Sequence, residues 1–181
     1  KANGSGVPDM SGLAGKHVVV TGGGTGIGLA VAKALTKERA IVTIMGRDRD
    51  RLEQAAGRLI GTRAIACDVS KATSVAQAFR QAQANSGRID VLVNNAGTVE
   101  TAPFGKMDAV IGLTRSLALE TAKKGITVNA VCPGYTETEI VTTAIDRIAS
   151  KTGRSTSEAR AGLEAGNPQG RLIQPEEVAA T

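Results

Sequence analysis

Apolar residues alternate between two rhythms along this chain. Short runs rich in β-branched residues, His17–Val20 (HVVV), Ala40–Met45 (AIVTIM), Arg63–Cys67 and Ile89–Val93 (IDVLV), have the length and character of strands. Between them, apolar residues recur at helical spacing. Gly26–Arg39 carries Ile27, Val31, Ala34 and Leu35 on one face, and a segment from about Asp50 to Ile60 carries Leu52, Ala55, Ala56 and Leu59. Ser70 is placed as the N-cap of a third helix bearing Val75, Phe79 and Ala82. A helix from about Asp108 to Lys123 then precedes another strand-like run, Ile126–Val131 (ITVNAV). Strands apolar on both faces and separated by amphipathic helices predict an α/β fold, a doubly wound parallel sheet buried on both sides.

The fold is expected to occupy residues 11–181 as one domain, after a flexible leader over residues 1–10 (KANGSGVPDM). Beyond Pro133 the chain becomes polar and rich in Thr, Arg and Gly. This excursion, at about 135–170, lies after a strand's carboxyl end, where a substrate lid would stand; an ordinary surface helix pair is the alternative.

Composition removes several function classes. Aromatics make up 2% of the chain, so the stacking platforms of single-stranded nucleic-acid binders cannot be assembled. The net charge of +5 therefore points elsewhere, and Arg47, Arg49 and Arg51, grouped in one short loop, suit a phosphate-bearing small molecule. No segment reaches the roughly 18 apolar residues of a membrane span. His17 is the only histidine and no CxxC occurs, so no metal site is expected. Cys67 and Cys132 sit in or beside apolar runs and are expected as free, buried thiols of a cytoplasmic protein.

The chemistry begins at Val18–Gly28 (VVVTGGGTGIG), a strand followed by a glycine turn and a helix. Gly22, Gly26 and Gly28 have GxxxGxG spacing, which permits positive φ and close approach of backbone to a pyrophosphate. In that context the motif predicts a dinucleotide site, and a Rossmann-type arrangement of the sheet. Such sites read the ribose about 20 residues further on, with an acid for the 2′-OH of NAD or an Arg for the 2′-phosphate of NADP. Here Gly46 and Arg47 stand at that place, so NADP(H) is the expected cofactor, with NAD(H) the alternative because Asp48 follows.

TGGGTGIG is followed by Cys67-Asp68-Val69, by Asn94-Asn95-Ala96-Gly97, by Pro133-Gly134 with Thr138 in a PGxxxT pattern, and by Gly170-Arg171 with Pro175–Ala179. Taken together, these motifs resemble the short-chain dehydrogenase/reductase family, with the resemblance running from Leu13 to Ala180 and the last of them fitting the segment before the family's last strand. The resemblance implies that Gly22, Gly24, Thr25, Gly26, Ile27 and Gly28 hold the phosphates and Arg47 the 2′-phosphate. It places Asp68 and Val69 at the adenine, and Asn94, Ala96 and Gly97 along the cleft. Pro133, Gly134, Thr136 and Thr138 fall at the nicotinamide. The implied activity is interconversion of a ketone and a secondary alcohol, with a flavour of the 3-oxoacyl reductase and 3-hydroxyacyl dehydrogenase branch. A small-molecule carbonyl or alcohol partner and a homodimer or homotetramer follow from the same resemblance.

The catalytic residues are missing. The family's Tyr and Lys are spaced YxxxK so that both emerge on one helix face. The only tyrosine, Tyr135, has Glu139 four residues on. By alignment to Gly112, the family's Tyr falls on Pro103 and its Lys on Met107, while Lys106 is one position off and Ser116 does not match the catalytic serine. Between Gly97 and Leu113 there is no room for the helix and strand that the family places there, since a βαβ unit needs roughly 30 residues or more. Either residues of a longer polypeptide are omitted, or a true internal deletion has left an inactive dinucleotide sensor or scaffold.

Overall fold

The computed structural model describes residues 11–96, 105–124 and 126–181. The expected leader, Gly97 and Pro103 lie outside them. By its contacts the chain divides into two compact units, one built from residues 1–97 and 134–181, the other from Thr98–Pro133.

In the first unit, strands β1 (His17–Thr21), β2 (Ile41–Gly46), β3 (Thr62–Ala66) and β4 (Val91–Val93) form one parallel sheet in the order β3-β2-β1-β4. Val18 lies opposite Val42 on one side and Val91 on the other, and Val20 opposite Ile44 and Val93. The side-chain alternation of the strands explains how both faces are filled. Val18, Val20, Val42 and Ile44 point to one face, where they pack with Ala32 and Leu35 of α1 (Gly26–Lys37) and Leu52 and Ala55 of α2 (Arg49–Gly57). Val19, Met45 and Ile65 point to the other, against Ala78 and Ala82 of α3 (Ala72–Ser86). This is the doubly wound arrangement expected from the sequence.

His17 is fully buried in β1. Its ring meets Thr43 Oγ1 at 2.9 Å and the Gly87 carbonyl at 3.1 Å, and its backbone N–H donates to Asp90 at 3.0 Å. The only histidine is thus a core cross-link between β1, β2 and the approach to β4.

After the sheet, α5 (Glu139–Thr152) and α6 (Thr156–Glu164) form a helix pair around Val141, Ile145, Ala159 and Leu172. Helix α6 is held by a capping box between Ser155 and Glu158. The short α7 (Pro175–Ala179) starts with Pro at its first turn and packs on α1.

The second unit contains α4 (Gly105–Thr121) and a short 3-10 turn, Ala122–Lys124. The strand expected at Ile126–Val131 does not form. A strand exists only through its ladder, and among the described residues no neighbour pairs with this run, so it stays irregular with Ile126 and Val131 about half exposed. Cys132 is exposed for the same reason, whereas Cys67 is buried as expected.

Two local expectations also change. Ser70 does not cap α3; Lys71 stands at the N-cap, and the Ser70 hydroxyl turns back to Asp68 at 2.7 Å. An Asp two residues upstream offers Ser70 a tight local turn that competes with capping. Of the three arginines assigned to one loop, only Arg47 is in it. Asp48 caps α2 by accepting the Arg51 N–H at 3.1 Å, which draws Arg49 and Arg51 into the helix.

Candidate functional site

The strand order creates the site. Chain growth runs outward from β1 to β3 and then returns to place β4 on the other side of β1, so the crevice at the carboxyl ends of β1 and β4 is a topological switch point. The glycine loop leaves β1 there, and Asn94–Ala96 leave β4 beside it.

The loop is pinned at both ends. Gly22 and Gly23 donate their N–H groups to the Met45 carbonyl at 2.7 and 3.3 Å. Thr21 Oγ1 accepts from the N–H groups of Asn95 and Ala96, both at 3.0 Å, and lies 3.3 Å from the Val93 carbonyl. The Asn95 amide donates to the carbonyls of Thr21 and Gly22 at 3.1 and 3.2 Å. Asn95 is therefore the residue that joins the two strand ends, rather than its neighbour Asn94, which is exposed. Two glycines are required by geometry. Gly22 has φ +65, and a Cβ on it would approach Asn95 Nδ2 to 2.8 Å. At Gly28 a Cβ would lie 2.3 Å from the Gly22 carbonyl oxygen, so only glycine lets α1 start this close to the loop.

The start of α1 fits a phosphate. Thr25 occupies the N-cap with extended backbone but makes no side-chain capping bond, and the Leu29 N–H to Thr25 carbonyl contact, 3.1 Å, belongs to the first turn. The amides of Gly26, Ile27 and Gly28 therefore stand at a helix N-terminus without a capping side chain, where the helix dipole favours an anion.

Other expected residues gather unevenly. Thr138, the N-cap of α5, sits against the loop, with Cγ2 3.2 Å from a Cβ placed on Gly26, and its hydroxyl bonds the Thr136 carbonyl at 3.3 Å. Thr136 is buried and bonds the Gly134 carbonyl at 3.1 Å, so its hydroxyl is engaged in shaping the turn. Asp68 and Val69 follow β3; two hydrogen bonds from Ser70, with Lys71 close by, hold the Asp68 carboxyl below the usual carboxylate range. Val69 is half exposed. Arg47 is exposed and makes no hydrogen bond or ion pair among the described residues. Pro133 is exposed and closes the other unit.

Sequence reasoning missed Asn167. Its buried side chain accepts the Tyr135 N–H at 2.8 Å and donates to the carbonyls of Tyr135 and Arg171 at 2.8 and 2.7 Å. It fixes the corner after Gly134, where a Cβ would lie 2.3 Å from Asn167 Oδ1. Tyr135 is about half exposed and lays its ring edge against Gly166, a packing role. Also missed was the pairing of Arg51 with Glu139, Nη1 to Oε2 at 2.7 Å, which raises the Arg51 pKa above its already high value.

The family model described as short chain dehydrogenase matches residues 16–109, and one described as enoyl-(acyl carrier protein) reductase matches residues 106–181. D-beta-hydroxybutyrate dehydrogenase of Cupriavidus necator is 30% identical over an aligned span of 230 positions, covering 93% of this chain and 89% of the relative. That span is longer than the chain's own 181 residues, so the relative has residues inside it with no counterpart here. Among solved structures, actinorhodin polyketide ketoreductase with NADPH superposes with a TM-score of 0.82 at 26% identity, over 91% of this chain and 87% of that one. L-sorbose reductase from Gluconobacter frateurii, complexed with NADPH and L-sorbose, gives 0.81 at 25% identity, over 94% and 89%.

Proposed function

Given that this chain belongs to the short-chain dehydrogenase/reductase family, we propose that it serves an NADP(H)-dependent oxidoreductase that interconverts a ketone and a secondary alcohol. One observation carries the reading: the uncapped amides at the start of α1 open at the carboxyl end of β1, between the ends of β4 and α5. Gly24, Thr25, Gly26, Ile27 and Gly28 would hold the pyrophosphate, and Arg47, free of protein partners among the described residues, would receive the 2′-phosphate. Asp68 and Val69 would flank the adenine. Asn94, Ala96, Gly134, Thr136 and Thr138 would line the remainder, with Gly97 and Pro133 assigned by sequence alone. The cofactor supplies or accepts the hydride. The NADPH complexes of the ketoreductase and the sorbose reductase support this choice of cofactor.

Proton transfer needs a group that this sequence does not provide. We assign it to residues of the natural polypeptide that are absent between Gly97 and Leu113. Two observations support this: aligned spans exceed the chain's length, and the two family models meet at residues 106–109. Each relative described above is named a dehydrogenase or a reductase, which favours an active enzyme over a sensor. The α5–α6 excursion would cover the substrate, and a β-keto acid or acyl thioester is the first substrate class to try.

The test has two parts. Peptide sequencing of the natural protein across Gly97–Leu113 should find additional residues. That protein should oxidise NADPH at 340 nm with a ketone panel of 3-oxoacyl thioesters, 3-oxo acids and keto sugars. NADPH binding without turnover of any ketone, in a protein that joins Gly97 to Leu113 as written here, would refute it.

A further inference from the structure

Glu139 is the first residue of α5, directly after the threonine that touches the glycine loop at Gly26. Its carboxylate holds Arg51 of α2, a residue 88 positions away, at 2.7 Å. Both line a cavity of about 340 Å³ that is bounded by Gly24 and Thr25 of the loop and by Lys33 and Arg58. Three cations, Lys33, Arg51 and Arg58, thus line the cavity with one acid, Glu139, and that acid is already engaged by Arg51. Arg51 also lies 3.4 Å from Asp48, the cap of its own helix, whereas Arg49 pairs along that helix, with Glu53 at 2.8 Å.

The charges of this cavity suit an anion larger than a carboxylate. A guanidinium presents a planar fork of N–H donors that matches carboxylate and phosphate oxygens alike in geometry, but a phosphate dianion carries more charge. Arg51 and Glu139 are each more than half exposed, so their pairing is a weak, exchangeable contact rather than a fixed strut. A neutral 2′-hydroxyl offers Arg51 nothing in exchange for Glu139.

We propose that Glu139 is a cofactor-specificity residue: the 2′-phosphate of NADP(H) displaces it from Arg51, whereas NAD(H) leaves the pair closed. This rests on the NADP(H) reading above and adds a second cation to Arg47. The exchange also releases the start of α5 from α2, so cofactor identity is conveyed to the segment that would cover the substrate. Glu139 sets the preference by competition, lowering NADP(H) affinity below what Arg51 alone would give and leaving NAD(H) affinity unaffected.

Dissociation constants for NADP+ and NAD+ on the intact protein, measured by calorimetry for the parent, Glu139→Gln and Arg51→Gln, test the proposal. Glu139→Gln should tighten NADP+ by roughly two- to fivefold, the scale of an exposed ion pair, and leave NAD+ unchanged. Arg51→Gln should weaken NADP+ by about tenfold or more, the scale of a charge-assisted hydrogen bond, again sparing NAD+. A merely structural strap gives a different pattern, because both substitutions would then weaken both cofactors alike. That result, or no change with Glu139→Gln, overturns the proposal. A parent that binds NADP+ no better than NAD+ overturns the cofactor reading and the proposal with it, and is distinguishable because it needs no variant. Urea midpoints of both variants within error of the parent are expected from their exposed positions, and a large drop in either would also count for the strap.

Discussion

Gly28→Ala is the sharpest perturbation of the proposed phosphate site. A Cβ at this position would lie 2.3 Å from the Gly22 carbonyl oxygen, 2.8 Å from the Gly22 carbonyl carbon and 2.5 Å from Asn95 Nδ2. Two of these are backbone atoms of the turn, which cannot swing aside as a side-chain tip can. Relief requires α1 to move outward or the Gly22 peptide to tilt, and either motion breaks the Asn95 bonds to Thr21 and Gly22 at 3.1 and 3.2 Å. Overpacking of a closed site costs about 1–3 kcal/mol, and each hydrogen bond lost adds about 0.5–1.5 kcal/mol. With two bonds lost the expected loss is therefore about 2–6 kcal/mol, a large part of a typical domain stability of roughly 5–15 kcal/mol. At a mid-range slope of about 2 kcal/mol/M this corresponds to a urea midpoint lower by roughly 1–3 M. Gly57→Ala is the control, since nothing lies within 4 Å of its Cβ position at the end of α2. That change should raise stability by about 0.4–1 kcal/mol through the unfolded chain. Equilibrium urea unfolding followed by circular dichroism, with NADPH fluorescence on the same samples, measures both effects. A Gly28→Ala protein with the parent's midpoint and the parent's NADPH affinity would refute the claim that close packing of α1 on the loop shapes the site.

Three further outcomes follow from the same contacts. Thr21→Val keeps the shape of the side chain but strands the N–H groups of Asn95 and Ala96, and should cost about 2–4 kcal/mol in urea unfolding, with NADPH affinity reduced. Asn167→Ala removes three bonds at the Gly134 corner; hydrogen exchange should quicken at Tyr135 and Ile173 while the amides of β1 and β2 keep their protection. Glu177 is held at a pKa of about 2 by its hydrogen bonds from Arg171 and from the Gln174 N–H, below the ordinary 4.5. Because the folded value is depressed, its contribution is present above about pH 4.5 and is lost as pH falls towards 2. Glu177→Gln should flatten the acid side of the stability profile in that window, and an unchanged profile would contradict the assignment.

What was readable in the sequence was whatever short-range pattern decides. β1 to β4 are local runs of apolar residues whose alternation already fixes which face each side chain takes, so Val18 and Val20 separate from Val19 without knowledge of the tertiary fold. The glycine loop was legible because its turn, its helix start and its spacing all lie within a dozen residues. Asn167 was not, because it acts on Tyr135 from 32 residues away, and nothing in its neighbourhood advertises a buried amide. Arg51 and Glu139 were hidden for the same reason. Ser70 misled because Ser serves both caps and Asx-type turns, and only the position of Asp68 decides between them.

Ile126–Val131 was misread for a different reason, and it bears on the function. Its composition is that of a strand, and strand propensity is realised only against a neighbour. β4 shows the complementary situation: it pairs with β1, is three residues long, and leaves Leu92 43% exposed at the end of the sheet. Parallel strands are ordinarily buried on both faces and flanked by further strands. The chain thus holds, in separate units, a strand-forming run with no ladder among the described residues and a sheet that ends on a short apolar strand. In sequence, β4 precedes and Ile126–Val131 follows the segment at residues 106–109 where the two family models meet, and the aligned span of the relative exceeds the length of this chain. A true deletion would have to maintain these exposed apolar groups at a cost of about 25 cal/mol per Å² of surface left in water. If the natural polypeptide carries the additional residues proposed above, they would supply the proton donor and offer such exposed apolar groups a neighbour.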